Sequence, residues 1–269
     1  MITTTHTDGL TVHAEQRGSG PDVLLLAGLG DPLEVWQAQL DGLSDRYRLT
    51  AIDNRGVGRT PLPDAPLTVA GMADDAAAAL AALGVERAHV AGFSGGSAIA
   101  QELALRHPGL VDSLVLMSTW GRADAYFSSM LASWRRMVAT ATDDRSMLEA
   151  FYLWIYTRRA HEDGTAAAFI DEALAFPHPQ PAEAFIAQVD AFAAHDALDR
   201  LGAIVVPTLV MAGGHDLATP PALGRAVADR IPGALFEVIE GEAHQPFQEV
   251  PDRWNHRVDA FWREVGRRA

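Results

Sequence analysis

The sequence predicts an α/β fold in which helices cover both faces of a mostly parallel β-sheet. Short apolar runs of strand length alternate with longer helical patterns along residues 1–119 and again from residue 201 onward. The 269 residues are 48% hydrophobic, which is enough for a sizeable core in one globular domain. Residues 120–200 have helical periodicity without a convincing strand, so they are expected to form a helical insertion.

Four candidate strands precede the insertion, and each is a short apolar run. They are residues 23–27, 48–52, 89–93 and 114–117.

Two helices are expected between these strands. The first covers residues 68–83, is rich in Ala, has Thr68 as its N-cap and stops at Gly84. The second covers residues 97–106 and is closed by His107-Pro108. Because strand and helix alternate, the strands should be parallel and joined by crossover helices.

Two further strands, residues 204–211 and 234–239, are expected after the insertion, followed by a C-terminal helix. Pro251 suits the first turn of this helix. Its apolar residues fall at i, i+4, i+7, i+8 and i+11, which places them on one face: Trp254, Val258, Phe261, Trp262 and Val265.

The segment 120–200 contains 12 of the 20 aromatic residues of the chain. Most of these rings are expected to pack against one another, and some are expected to form an apolar lid over a site. The candidate substrate-binding residues are Phe93, Trp120, Tyr126, Phe127 and Trp154.

Composition excludes several chemistries. There is no Cys, which rules out thiolate nucleophiles and Cys-ligated metals, and no Lys, which rules out Schiff bases and a phosphate-binding P-loop lysine. The formal net charge of −14 argues against a nucleic-acid partner. The ten His residues show no metal-ligand spacing, so we expect neither metal nor cofactor.

The N-terminal residues 1–6 have no signal-peptide pattern, and no apolar run approaches the ~18 residues that suggest a membrane span. We therefore expect a cytoplasmic protein without a membrane partner.

The pentapeptide Gly92-Phe93-Ser94-Gly95-Gly96 matches G-x-S-x-G between a predicted strand and a predicted helix. In that context the serine lies on a sharp turn with strained dihedrals, and small neighbours are needed because side chains would clash with the strand or the helix. The motif predicts Ser94 as a nucleophile.

A serine nucleophile needs a base, and the base needs a carboxylate that orients it. Asp216 and His244 each follow a predicted strand and therefore lie at the same sheet edge as Ser94. The order Ser, Asp, His along the chain is that of α/β-type hydrolases. Asp124 also follows a strand and stays open as an alternative acid.

Four stretches make the chain similar to the α/β-hydrolase superfamily, in its capped enol-lactonase- and perhydrolase-like branch. They are Ala27–Gly30 with Trp36, Asp53–Thr60, the Ser94 turn, and the Asp216 and His244 loops. The resemblance covers nearly the whole chain. It implies an eight-stranded sheet formed by residues 1–119 and 201–269, with residues 120–200 as a helical cap inserted after the sixth strand.

The resemblance also implies roles for individual residues. Ser94 would be the nucleophile, His244 the general base and then acid, and Asp216 the residue that orients the imidazole. Leu29 and Gly95 would supply the N–H groups of an oxyanion hole. The family commonly has His-Gly where this chain has Ala27-Gly28, which leaves the support of that loop undefined.

The expected function is hydrolysis of a small, apolar ester, lactone or thioester through an acyl-enzyme, as in secondary metabolism. Two other hypotheses stay open. One is a perhydrolase, C–C hydrolase or cyclase with the same catalytic residues, and the other is a receptor that retains these residues and holds a ligand. Because Ser occupies the nucleophile position, the carboxylate-dependent dehalogenases and epoxide hydrolases of this fold are disfavoured.

Overall fold

The computed structural model of the chain describes residues 2–5 and 9–268, with side chains described for residues 9–267. The stretch 1–6, on which the prediction of no signal peptide rests, lies partly outside these residues, and that prediction is untested. No helix in the described part of the chain is long and apolar enough to cross a membrane.

Eight strands form one sheet in the order β1-β2-β4-β3-β5-β6-β7-β8, which confirms the predicted α/β architecture. Strand β2 pairs antiparallel with β1 and with β4, and every other described pairing is parallel. The strands are β1 (Ile2–Thr5), β2 (Thr11–Arg17), β3 (Asp22–Leu26), β4 (Arg48–Ile52), β5 (Ala88–Phe93), β6 (Val111–Met117), β7 (Thr208–Gly213) and β8 (Leu235–Ile239).

The described residues form eleven α-helices, of which α4 to α8 lie between β6 and β7 and are called here the inserted helices. The division into a core and a cap domain stays a prediction. The helices are α1 (Gln37–Leu43), α2 (Val69–Ala82), α3 (Gly95–Arg106), α4 (Ala125–Thr140), α5 (Asp144–Tyr152), α6 (Arg158–Glu162), α7 (Thr165–Ala175), α8 (Ala182–Ala193), α9 (Pro221–Ala228), α10 (Pro246–Glu249) and α11 (Pro251–Arg268).

Helices pack on both faces of the sheet because its central strands are apolar on both sides. In β3, Leu24 and Leu26 join the core that contains α2, α3 and residues of the inserted helices, whereas Val23 and Leu25 join the core under α1 and α11. Successive side chains of a strand point to opposite faces, so one apolar run serves two cores.

Local signals set the helix boundaries largely as predicted. The Thr68 hydroxyl caps α2 by accepting a hydrogen bond from Gly71 N–H at 2.9 Å, and Pro251 opens α11. The prediction of a strand over residues 204–207 is wrong, since β7 begins at Thr208. Pro207 has no N–H for the ladder, and Val205 is 81% exposed.

Candidate active site

Ser94 lies on a strained turn between β5 and α3, with φ +50° and ψ −117°. A methyl group on Gly92 would lie 2.3 Å from the carbonyl oxygen of Gly96, and one on Gly96 would lie 2.0 Å from the carbonyl oxygen of Leu26. Both contacts are with backbone atoms, which cannot move aside easily. The glycines therefore allow the sharp turn that holds the Ser94 hydroxyl at the carboxyl edge of the sheet.

Ser94, His244 and Asp216 form one hydrogen-bonded chain, as their order in the sequence predicts. His244 Nε2 lies 3.0 Å from Ser94 Oγ, and His244 Nδ1 donates to Asp216 Oδ2 at 2.8 Å. Ser94 is 8% exposed and His244 2%, so the polar chain is almost removed from solvent. In such surroundings a hydroxyl, an imidazole and a carboxylate can pass a proton from the nucleophile to the base.

The Asp216 carboxylate is fixed by its own loop. Its Oδ1 accepts hydrogen bonds from the N–H groups of Ala218 and Thr219, both at 2.8 Å, and its Oδ2 accepts one from the Thr219 hydroxyl at 3.0 Å. These donors leave Oδ2 directed at the imidazole. The oriented carboxylate in turn selects the tautomer in which Nδ1 carries the proton and Nε2 is free to accept one.

The His244 backbone is held from two other elements. The Ser118 hydroxyl, just after β6, donates to the His244 carbonyl at 2.8 Å. The His244 N–H donates to the carbonyl of Ile155 at 3.0 Å, between α5 and α6 of the inserted helices. Ser118 has φ +52°, a second strained residue beside the reaction centre. The imidazole is therefore positioned partly by the insertion.

The backbone N–H groups of Leu29 and Gly95 have no hydrogen-bond acceptor among the described residues. Gly95 begins α3, where the first N–H groups of a helix lack intrahelical partners. A methyl group on Gly95 would lie 2.4 Å from the ring of Phe192, so this ring of α8 packs closely against the Gly95 backbone. That these two N–H groups form an oxyanion hole stays a prediction.

The loop after β3 is supported by amide side chains rather than by the His that the family commonly has there. Gln188 of α8 accepts from Gly30 N–H at 3.2 Å and donates to the Arg55 carbonyl at 3.1 Å. Asn54 donates to the Ala27 carbonyl at 3.0 Å. Residues 27–30 are thus tied both to the loop after β4 and to the inserted helices.

The five residues predicted to bind substrate occupy different surroundings. Phe93 is buried with its ring centroid 4.9 Å from that of His244. Trp120 and Phe127 are buried, and their ring centroids lie 4.6 Å apart. Trp154 is half-buried against the core, and Tyr126 is 49% exposed with its hydroxyl donating to the carbonyl of Leu217. Contact of these residues with substrate stays a prediction.

The alternative acid Asp124 is excluded as a partner of His244. Its Oδ1 accepts from Phe127 N–H at 2.8 Å and caps α4, while Asp216 bonds the imidazole. An Asp before a helix serves as an N-cap, so position after a strand was not decisive. No group of three or more His, Asp or Glu side chains that could hold a metal is found in the described part of the chain.

Several site residues escaped the sequence analysis: Ser118, Ile155, Gln188 and Phe192. Ser118 and Gln188 act through side chains that carry no motif, and Ile155 acts through its carbonyl, which every residue has. The concentration of aromatic residues in segment 120–200 was the available signal, and it did identify the segment that contributes Phe192.

Comparison with known proteins agrees with this geometry. The family model of the α/β hydrolase fold matches residues 21–249. A relative from Azorhizobium caulinodans, a candidate carbamate hydrolase named RutD, is 31% identical over 260 residues, which cover 97% of this chain and 98% of that protein.

Two solved structures give the same picture. The enol-lactonase from Burkholderia xenovorans superposes with a TM-score of 0.87 at 26% identity, covering 97% of this chain and 99% of that one. A thermophilic esterase from Thermogutta terrifontis has a TM-score of 0.86 and 28% identity, covering 98% and 97%.

Proposed function

Because the chain belongs to the α/β-hydrolase family and is a hydrolase of that fold, we propose that it cleaves a carboxylic ester, lactone or thioester through an acyl-enzyme on Ser94. The observation that carries the proposal is the 3.0 Å distance between Ser94 Oγ and His244 Nε2, with His244 bonded in turn to Asp216. This arrangement activates a hydroxyl that is otherwise a weak nucleophile.

In the first half of the reaction, Ser94 Oγ attacks the substrate carbonyl carbon while His244 Nε2 takes the hydroxyl proton. The carbonyl oxygen becomes an oxyanion, which accepts hydrogen bonds from the N–H groups of Leu29 and Gly95. Each such donor contributes roughly 3–4 kcal/mol to lowering the barrier. His244 then returns its proton to the leaving alkoxide or thiolate, the bond to the leaving group breaks, and the acyl group stays on Ser94.

In the second half, a water molecule replaces the leaving group. His244 removes a proton from the water as it attacks the acyl carbon, and the same two N–H groups stabilise the second oxyanion. The bond to Ser94 Oγ then breaks, and His244 protonates this oxygen. The products are a carboxylic acid and the regenerated serine.

The substrate is proposed to be a small molecule with an apolar acyl group. Phe93 beside His244 and Phe192 above Gly95 line the centre with rings. Many other rings of the insertion contact one another, as Trp134 does Phe151 at 4.8 Å. The proposed preference for an apolar acyl group therefore rests on Phe93 and Phe192. Rates of ester hydrolysis that rise steadily as the acyl chain shortens would contradict it.

The direct test is hydrolysis of p-nitrophenyl esters from acetate to decanoate by the wild type and by Ser94→Ala. We expect the variant to lose turnover by several orders of magnitude, because the covalent step has no nucleophile. Thermal unfolding of both proteins controls for folding. A Ser94→Ala variant that retains wild-type turnover would exclude the mechanism.

Carbamate hydrolysis is a second candidate, favoured by the relative from Azorhizobium caulinodans and its assigned activity. The same steps apply, with a carbamoyl group in place of the acyl group on Ser94. Phenyl carbamate and phenyl acetate differ only by NH2 in place of CH3 on the scissile carbonyl. A larger acceleration of phenyl carbamate over its uncatalysed rate would favour the carbamate, and the reverse order would favour the ester.

A further inference from the structure

Asp31 is an acidic side chain beside the reaction centre that no step of the proposed mechanism uses. It lies two residues after Leu29, on the loop that supplies one of the unpaired N–H groups. A methyl group on Gly28 would lie 2.9 Å from Asp31 Oδ2 and 2.9 Å from the ring of Phe93. Since that ring contacts His244, the Asp31 carboxylate lies close to the imidazole.

The carboxyl group of Asp31 has spare acceptor capacity. No Arg or His side chain of the described residues forms an ion pair with it, and its hydrogen bond comes from the N–H of Gly28. Asp31 is half-buried. A carboxylate in such surroundings without a cation is costly, and a hydrogen-bond donor on a ligand would offset part of this cost.

The other titratable groups around Asp31 do not neutralise it. His244 is hydrogen-bonded to Asp216 and serves as the base. From the inserted helices, Tyr152 and Tyr156 lie close enough for the charge of Asp31 to add to burial in raising the pKa of each hydroxyl. The Tyr156 hydroxyl already has hydrogen-bond partners in the side chains of Gln245 and Gln248, at 2.9 and 2.8 Å.

Burial raises the pKa of Asp31 to about 7, opposed by the nearby His244 and by the Gly28 N–H. The group is therefore neutral below this pH and a carboxylate above it. Its charge can change within the working range of a hydrolase whose base is a histidine.

We propose that Asp31 is a specificity-determining residue whose carboxyl group accepts a hydrogen bond from an N–H or O–H group that the substrate carries close to its scissile carbonyl. The inference rests on the proposed function, because it places that carbonyl between Ser94 and the Leu29 N–H. One donor on an otherwise apolar substrate replaces the water that Asp31 loses when the site fills, whereas a substrate without a donor leaves the carboxylate unpaired.

The test uses p-nitrophenyl esters of X–CH2–CH2–COOH, in which X is NH3+, OH or CH3. The three esters match in heavy atoms and differ at X, where only NH3+ and OH carry a donor. At pH 8 we expect kcat/KM for the ammonium ester to exceed that of the methyl ester by about tenfold, as for a charged hydrogen bond. The hydroxyl ester should lie between them.

Two variants separate charge from hydrogen bonding. Asp31→Asn keeps an acceptor but no charge, so the ammonium preference should fall while part of the hydroxyl preference remains. Asp31→Leu should lose both preferences and still hydrolyse the methyl ester. Glu34→Gln on the same loop, where Glu34 pairs with Arg59 at 2.7 Å, is the matched control and should leave all ratios unchanged.

The pH dependence gives an independent readout. The ratio of ammonium to methyl ester should fall between pH 8 and pH 6 in the wild type, because Asp31 becomes protonated. His244 acts on both substrates and cancels from the ratio. Comparing 2-hydroxyethyl butyrate with propyl butyrate by pH-stat extends the test to the leaving-group side.

Equal ratios in the wild type and Asp31→Leu on both sides of the carbonyl would overturn the proposal, and so would a ratio independent of pH. Failure of the proposed function is a separate result, seen as hydrolysis that survives Ser94→Ala. If none of the esters is hydrolysed, calorimetric binding of β-alanine amide and butyramide to the wild type and Asp31→Leu makes the same comparison. Equal affinities would then reject the role of Asp31.

Discussion

The serine and the histidine of the site are positioned by different kinds of force. The turn around Ser94 is set by close backbone contacts, those of Gly92 with Gly96 in the same turn and of Gly96 with Leu26 at the end of the neighbouring β3. The loop around His244 is set by two hydrogen bonds to distant residues: Ser118, 126 residues away, donates to the His244 carbonyl, and the Ile155 carbonyl accepts from the His244 N–H.

This difference has a physical consequence. A steric constraint between backbone atoms is nearly all-or-none, since a methyl group either fits or displaces a strand. A hydrogen bond is graded, because its loss costs about 1 kcal/mol and others remain. Substitutions at the turn around Ser94 (the serine side) should therefore abolish activity in one step. Substitutions in the loop around His244 (the histidine side) should lower activity gradually.

The largest effect is expected from Gly96→Ala, which breaks the serine side. The added methyl group would lie 2.0 Å from the Leu26 carbonyl oxygen, so the free energy of unfolding should fall by about 3 kcal/mol or more and esterase activity should vanish. Urea unfolding measures the first and p-nitrophenyl ester hydrolysis the second. Gly109→Ala, where a methyl group meets nothing within 4 Å, should change stability by no more than about 0.5 kcal/mol.

An intermediate effect is expected at His195, where the insertion meets the helix that follows Ser94. His195 Nε2 lies 3.4 Å from Gln101 Oε1 of α3, and burial lowers the pKa of His195 to about 4. The unfolded chain therefore binds the proton first. Stability from this group is present above pH 6.5 and is lost as the pH falls toward 4, by up to roughly 3 kcal/mol.

In urea unfolding between pH 7 and pH 4, His195→Gln should remove this part of the slope of the free energy of unfolding against pH. The same substitution at the exposed His256 should keep the wild-type slope. If the free energy of unfolding depended on pH equally in the wild type and in His195→Gln, the contact of His195 with α3 would not contribute to stability in this way.

The smallest effect is expected from Ser118→Ala, which sharpens the comparison on the histidine side. Loss of the 2.8 Å bond to the His244 carbonyl should lower kcat by up to about tenfold with little change in KM, because His244 keeps its bonds to Ile155 and Asp216. Ser129→Ala on the exposed face of α4 is the silent control. A loss of activity as complete as that of Gly96→Ala would contradict a gradual response of the loop around His244.

Sequence reasoning was successful where a residue's position follows from its neighbours in the chain. Ser94, Asp216 and His244 each come directly after an apolar run, and parallel strands bring such positions to one edge. The Thr68 cap and the Pro251 start of α11 are also local. The strand over residues 204–207 failed because an apolar run was weighed above Pro207.

Support from distant elements could not be predicted. Gln188 bonds Gly30 across 158 residues, and a glutamine on a helix is ordinarily a surface residue. Strand β2 alternates too weakly to be recognised alone. The charge state of Asp31 depends on its burial and on the nearby His244, which the sequence around Asp31 does not specify.

The bond from His244 N–H to the Ile155 carbonyl bears on how this enzyme could be re-engineered. The acceptor is main chain, so a library that varies the side chain at position 155 would leave it intact and score the position as tolerant. A chimera that exchanges residues 120–200 for a foreign segment would replace this carbonyl together with the inserted helices. Such a chimera should keep the length and path of the segment around Ile155, because otherwise His244 would not be held in position to act as the base.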